Sequence, residues 1–115
     1  TAYMRLDGGT ETVHFSRGVE FNHTSVSDAD HTVTSADYVI LYTSIGAERT
    51  VTIPTAQTIA GRGLIIKDGA GHAGSNNIVV ATEASQTIDG AGTATISASR
   101  GSITLICDSS NWHTI

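Results

Sequence analysis

The sequence predicts an all-β fold, either an antiparallel β-sandwich of jelly-roll type or a related β-fold. Thr and Ser supply 29 of the 115 residues and Gly supplies 12. β-Branched Thr suits a pleated surface, and Gly suits tight turns. Strand-length segments begin roughly every ten residues, which is the spacing of sandwiches and barrels rather than of alternating strands and helices. Strand order stays open.

The first 37 residues are predicted to hold N-terminal strands and an arm or interface segment. Residues 2–6, 12–15 and 19–21 have strand patterns, whereas 22–37 is polar and ambiguous. The chain begins at Thr1 with a strand-like segment, so we expect it to be a fragment of a longer polypeptide.

Residues 38–115 are predicted to form a β-sandwich, which makes one compact domain with the first part. The apolar run 38–42 predicts a strand covered on both faces, and the alternating run 49–53 predicts a strand that ends at Pro54. Residues 55–60 fit one helical turn, capped by Thr55 and stopped by Gly61.

Four further strands and a closing edge strand are expected in the rest of the chain, at residues 63–68, 77–82, 93–97, 102–107 and 111–115. The pair Asp89-Gly90 indicates a tight turn of type I′, because glycine accepts a positive φ. Cys107 lies in an apolar run and is expected to be a buried small hydrophobe, and a single cysteine forms no internal disulfide.

Charge and hydropathy exclude two classes of partner. The net charge is −5 and the six Lys and Arg residues are scattered singly, so no basic stripe for nucleic acid is expected. No apolar run is long enough to span a bilayer, so no membrane insertion is expected either.

Residues 69–74 match the pattern G-x-G-x-x-G of dinucleotide-binding loops. That motif requires a helix to begin in the loop, so that its amide groups face the pyrophosphate. Here the next residues lead into another strand, so we expect a hairpin loop and no cofactor.

The other chemical motifs are equally incomplete. The five histidines form no zinc pattern, and Asp28 with Asp30 lacks the remaining ligands of a calcium loop. Pairing Asp89 with Glu83 or Asp68 would imitate a glycosidase, but Asp before Gly is usually a turn former. We therefore expect no metal, no catalytic residue and no enzyme.

Four residues are the candidates for ligand binding: His72, Asn76 and Asn77 in one loop, and Trp112 near the end of the chain. The loop residues are candidates for contact with a glycan. The sole tryptophan could stack on a sugar, although a core anchor in the closing strand is the favoured interpretation.

From Tyr38 onward the order of segments resembles a module of bacteriophage tail-fibre and other virion-surface proteins. The matching segments are 38–41, 51–54, 61–62, 65–68, 71–78, 87–90, 101–105 and 111–112. The resemblance implies a β-rich unit, commonly trimeric, in a fibre, a spike or a head-decoration protein.

The expected function is that of a non-enzymatic structural module at the virion surface, in a tail fibre, spike or head fibre. Such a homotrimer would contact other virion proteins and contribute to assembly and to attachment to a host glycan or receptor. The alternatives are a lectin-like receptor-binding tip that recognises host glycan and a capsid decoration protein. A polysaccharide-cleaving spike is a more remote alternative.

Overall fold

Alternating apolar and polar residues form most strands of the computed structural model, which describes residues 4–7, 9 and 12–115. Eleven strands lie in the described residues. They are β1 (Met4–Asp7), β2 (Thr12–Phe15), β3 (His23–Ser27), β4 (His31–Thr32), β5 (Val39–Ser44), β6 (Arg49–Ile53), β7 (Gly63–Asp68), β8 (Ile78–Thr82), β9 (Thr93–Ile96), β10 (Ser102–Cys107) and β11 (Trp112–Thr114).

The fold is all-β, with two mixed sheets and a separate hairpin. Sheet I has the order β11-β10-β7-β5-β3, and sheet II has the order β4-β6-β8-β9. The chain crosses from one sheet to the other in each of three successive coils, β3–β4, β5–β6 and β7–β8. Equivalent strands of successive coils pair in parallel. Strands β1 and β2 form the hairpin, antiparallel to each other.

The predicted antiparallel, jelly-roll-like sandwich is wrong in its strand pairing. Neighbouring parallel strands need a long crossover connection, which is commonly a helix. Here the strand that runs through the opposite sheet supplies this connection, so short strands at regular spacing produce parallel pairs. Within the two sheets, antiparallel pairing occurs where β9, β10 and β11 close them.

One hydrophobic core joins the two sheets. Sheet I contributes Ile40, Tyr42, Leu64, Ile66, Leu105 and Trp112, and sheet II contributes Val51, Ile53, Ile78, Val80 and Ile96. The first coil adds Val26 and Val33. Each strand of the two sheets therefore has one inward side, as the period of two requires.

Most strand predictions from the second part of the chain are confirmed within a residue or two. Segment 38–42 is covered less than expected, because Val39 and Leu41 point outward and are only half-buried. Residues 55–57 form a single 3-10 turn, in which Pro54 rather than Thr55 occupies the cap position.

The first part of the chain departs further from expectation. The prediction for Thr12–Phe15 is confirmed, but residues 19–21 form no strand. The polar segment 22–37 holds β3 and β4, which belong to the same two sheets as the rest of the chain. Ala2 and Tyr3, part of the first predicted strand, lie outside the described residues. None of the described residues belongs to a helix long and apolar enough to span a membrane.

Candidate functional site

The glycine-rich loop encloses a carboxylate of the protein itself. Asp68 ends β7 and has no exposed surface. One of its oxygens, Oδ1, accepts hydrogen bonds from the backbone N–H groups of Ala70 (3.0 Å) and Gly71 (2.8 Å). The other, Oδ2, accepts from those of Ala73 (2.8 Å) and Arg100 (3.0 Å). The backbone amide groups of the loop thus bind an anion, as in an anion-binding loop, but this anion is the Asp68 carboxylate of the protein itself.

These contacts determine the charge state of Asp68. Burial raises the pKa of its carboxyl, but hydrogen bonds from the four N–H donors outweigh burial and hold the pKa below its ordinary value. Arg100 precedes β10, so the carboxylate also joins the end of β7 to the start of β10. The arrangement stabilises the loop and leaves no unbound Asp68 oxygen for catalysis.

Asp37 has a similar role in the first coil. The Thr24 hydroxyl donates to Oδ1, while the Thr34 N–H and Nε2 of His31 lie 2.8 Å from Oδ2. Burial raises the pKa of Asp37, and the hydrogen bonds from Thr24, Thr34 and His31 more than offset that effect. This cluster connects β3, β4 and the loop that follows them.

Three exposed aspartates also bind neighbouring loops. Asp28 accepts from the Gly46 N–H and pairs with Arg49 at 2.8 Å, and both contacts lower its pKa. Hydrogen bonds from the hydroxyl and the N–H of Thr114 lower the pKa of Asp89.

Asp108 shows the largest shift among these exposed groups. The N–H of Asn111, the ring of His113 and the N–H of Ser110 lower its pKa to about 2. It thereby fixes the turn that leads into β11.

The ligand-binding candidates lie at two ends of sheet I. His72 is exposed in the loop after β7, and its carbonyl accepts from the N–H groups of Ser75 and Asn76. Asn76 donates to the carbonyl of Ile45 (3.3 Å), and the Asn77 carbonyl accepts from Arg49. The three residues therefore share one loop region beside the start of β10.

Trp112 lies away from that loop, paired with Cys107 at the other end of β10. Its side chain has no exposed surface, so its ring offers no face to a sugar in this structure. The indole Nε1 is buried without a hydrogen-bond partner. Its geometry is that of a core anchor in the closing strand.

The remaining motif residues do not assemble a reaction centre in the described part of the chain. Asp68 is bound at the start of β10, whereas Asp89 contacts Thr114, which pairs with Leu105. Within residues 4–7, 9 and 12–115, no three His, Cys, Asp or Glu side chains are placed to hold a metal ion. These residues also enclose no pocket.

The outward sides of the two sheets differ in chemistry. The outward side of sheet I carries a group of aliphatic side chains, called here the aliphatic face: Val39, Leu41, Ile65, Ile106 and Ile115. Thr104 lies among them, and Lys67 lies next to Leu41. The outward side of sheet II is called the threonine face: Thr32, Thr50, Thr52, Thr93 and Thr95, with Val79 and Ala81 among them. Threonine hydroxyls suit a sheet surface in water, and a row of aliphatic groups does not.

Residues 12–22, called here the arm, expose a second set of apolar side chains. Every residue in this range is exposed. Four large apolar side chains, Val13, Phe15, Val19 and Phe21, are between 47% and 63% exposed. The Phe21 ring packs against that of Tyr38, with 5.1 Å between ring centroids, so the arm leaves the body beside β5.

The fold defines an all-β protein of stacked two-sheet coils whose loops are held by aspartates. Comparison of the chain with protein-family models and with curated proteins found no match.

The aliphatic face has no recognisable sequence motif, because aliphatic residues are common in every strand. Its signal is the apolar residue at every position of 38–42 and 64–66, where a strand with one solvated side would alternate. At 38–42 this pattern predicts a strand covered on both faces, which requires a further surface to cover the outer one.

Proposed function

We propose that the chain is a non-enzymatic structural module of a bacteriophage virion, part of a tail fibre, spike or head fibre. It acts as a homotrimer on the virion surface and contributes to assembly and host attachment. The observation that carries the proposal is the exposed apolar arm at residues 12–22.

The arm supports an assembly role because exposing its apolar side chains to water is unfavourable. An isolated two-stranded hairpin is at best marginally stable, and exposed large apolar side chains that lie together mark interaction sites. Phe15 and Phe21 expose more than half of their surface. Aromatic side chains of this kind are the common anchors of protein interfaces.

The sequence and the surface chemistry favour the virion setting. The order of segments from Tyr38 onward is similar to that of a tail-fibre module. The threonine face and the aspartate-bound loops expose short, uncharged or internally paired side chains. Such a surface suits a rigid module whose role is to present loops.

Host attachment would use exposed loops in three copies. The loop that contains His72, Asn76 and Asn77 is the leading candidate, because His72 is exposed and the loop is fixed by Asp68. Three weak binding sites on one trimer give a higher overall affinity than one site, because the first contact raises the effective concentration of the other two at the host surface. Other virion proteins would hold the trimer in place.

The proposal is tested by the solution mass of the purified chain, measured by light scattering and repeated after SDS treatment without boiling. We expect a mass three times the 11.9 kDa of one chain, retained in the detergent. A chain that stays monomeric at every concentration tested would contradict the assembly role.

A further inference from the structure

The aliphatic face lies on the central strands of sheet I, where a solvated sheet would carry polar groups. Val39 of β5 pairs with Ile65 of β7, and Ile65 pairs with Thr104 of β10. The Ile115 N–H bonds to the Thr104 carbonyl, so Ile115 continues this row and is 78% exposed. Ile106 and Leu41 lie in the rows on either side. Aliphatic groups thus extend across four neighbouring strands.

Polar residues surround this patch. His23 and Ser25 lie beside it on the edge strand β3, Lys67 and Ser102 continue the row of Leu41, and His113 pairs with Ile106. A polar rim around an apolar centre is the usual anatomy of a protein interface. The threonine face has a smaller apolar centre, Val79 and Ala81 on β8, and threonines on both neighbouring strands flank it.

The arm begins next to the aliphatic face. Tyr38 lies beside Gly63, where a Cβ would be 3.3 Å from the Tyr38 ring, and Phe21 packs on that ring. Yet residues 12–22 remain exposed, so they do not lie across their own sheet. Val13 and Phe15 share one side of β2, as residues two apart in a strand do.

The two surfaces are similar in size. Five strands about 4.8 Å apart and about 17 Å long give the outward side of sheet I an area of about 400 Å². The half-exposed apolar side chains of the arm offer on the order of 300 Å², since one aromatic side chain buries about 150–250 Å². One arm on one face would thus bury about 700 Å² in total, which is less than half of the roughly 1,600 Å² of a standard interface. Three such contacts in a closed ring would bury about 2,100 Å², so stability would come from closing the ring.

We infer that the arm of one copy covers the aliphatic face of the next copy, so that three copies close into a ring. This inference rests on the proposed assembly role and names the surfaces that perform it. The contact is heterologous, because the two surfaces that meet are different, and such contacts close as rings when the rotation permits. Each copy gives one arm and receives another, so no apolar surface of this kind stays in water.

The first test compares Ile65→Lys with Val79→Lys by light scattering. Both substitutions place a charge at an outward position of a central strand, the first on sheet I and the second on sheet II. We expect Ile65→Lys to lower the mass from three chains to one and Val79→Lys to leave it at three. Circular dichroism checks that both variants keep their strands.

The second test uses disulfide trapping between copies. The double variant Phe15→Cys with Ile65→Cys should give a three-chain band on a non-reducing gel after mild oxidation. The matched control, Phe15→Cys with Val79→Cys, should give one chain. The native Cys107 is buried and does not interfere.

The outcomes separate this inference from the proposed function. A wild-type trimer that persists in Ile65→Lys, or that is trapped through Val79→Cys rather than Ile65→Cys, would overturn the inferred contact and leave the assembly role standing. A monomeric wild-type chain would overturn both.

Discussion

The carboxylate of Asp68 provides the sharpest test of how the loops are held. In Asp68→Asn, Oδ1 still accepts from Ala70 and Gly71, but an amide NH₂ replaces Oδ2 and faces the N–H groups of Ala73 and Arg100. Two buried donors lose their acceptor, and each unsatisfied donor costs about 1–3 kcal/mol. We expect a loss of about 4 kcal/mol in the free energy of unfolding, a large part of the roughly 5–15 kcal/mol of a typical domain.

The loss is measured by urea unfolding, followed by circular dichroism at one fixed protein concentration. For a chain of this length, about 4 kcal/mol corresponds to a melting temperature lower by about 15 °C. The control is Asp89→Asn, whose carboxylate is exposed and accepts its hydrogen bonds from Thr114, so its effect should be much smaller. A loss below about 1 kcal/mol for Asp68→Asn would refute the assignment of Oδ2 as the shared acceptor.

Three further predictions concern acid, the core anchor and one glycine. Five aspartates have a lower pKa in the folded protein than the value of 3.8 expected in the unfolded chain. They stabilise the fold at any pH above 3.8, and this stabilisation is lost as the pH falls through their folded-state pKa values. The melting temperature should stay constant from pH 7 to 5 and fall steeply below pH 4. A melting temperature that stays constant down to pH 2 would contradict this prediction. Trp112→Ala should cost about 3–5 kcal/mol in denaturant unfolding, because it empties a buried site, whereas exposed Ser110→Ala should cost little. Gly69→Ala should lower the melting temperature, because its Cβ would lie 2.8 Å from the Tyr42 carbonyl oxygen. The control is Gly18→Ala, whose Cβ would lie in open space. Equal melting temperatures for the two variants would refute the Gly69 contact.

Local chemistry made much of the fold predictable. Strands β6, β7 and β10 have the predicted bounds, because alternation and a following Pro or Gly define a strand without reference to its partner. The positive φ of both Asp89 and Gly90 agrees with the predicted type I′ turn. These signals lie within a few residues of one another.

Strand pairing could not be predicted in the same way. Alternation shows which side of a strand is inward, but not whether its neighbour is parallel, because the crossover here is itself a strand. The first coil was hidden for another reason. Val26 and Val33 are its only buried apolar residues, so the segment appears polar.

The site was predictable only in part. An Asp before Gly was expected to bond nearby amides, and Asp68 does so with Ala70 and Gly71. Its bond to Arg100 joins residues far apart in sequence, which no local pattern reveals. The same is true of Asp28 with Arg49 and of Asp37 with Thr24.

Successive coils do not need equal lengths of chain. Sixteen residues separate the paired His23 and Val39, and twenty-six separate Val39 and Ile65. The difference is taken up by loops outside the sheets, such as the one between Ile53 and Gly63. Evolution can therefore lengthen or rewrite these loops while the strand ladders keep their register, so the loop surface can diverge on a constant frame.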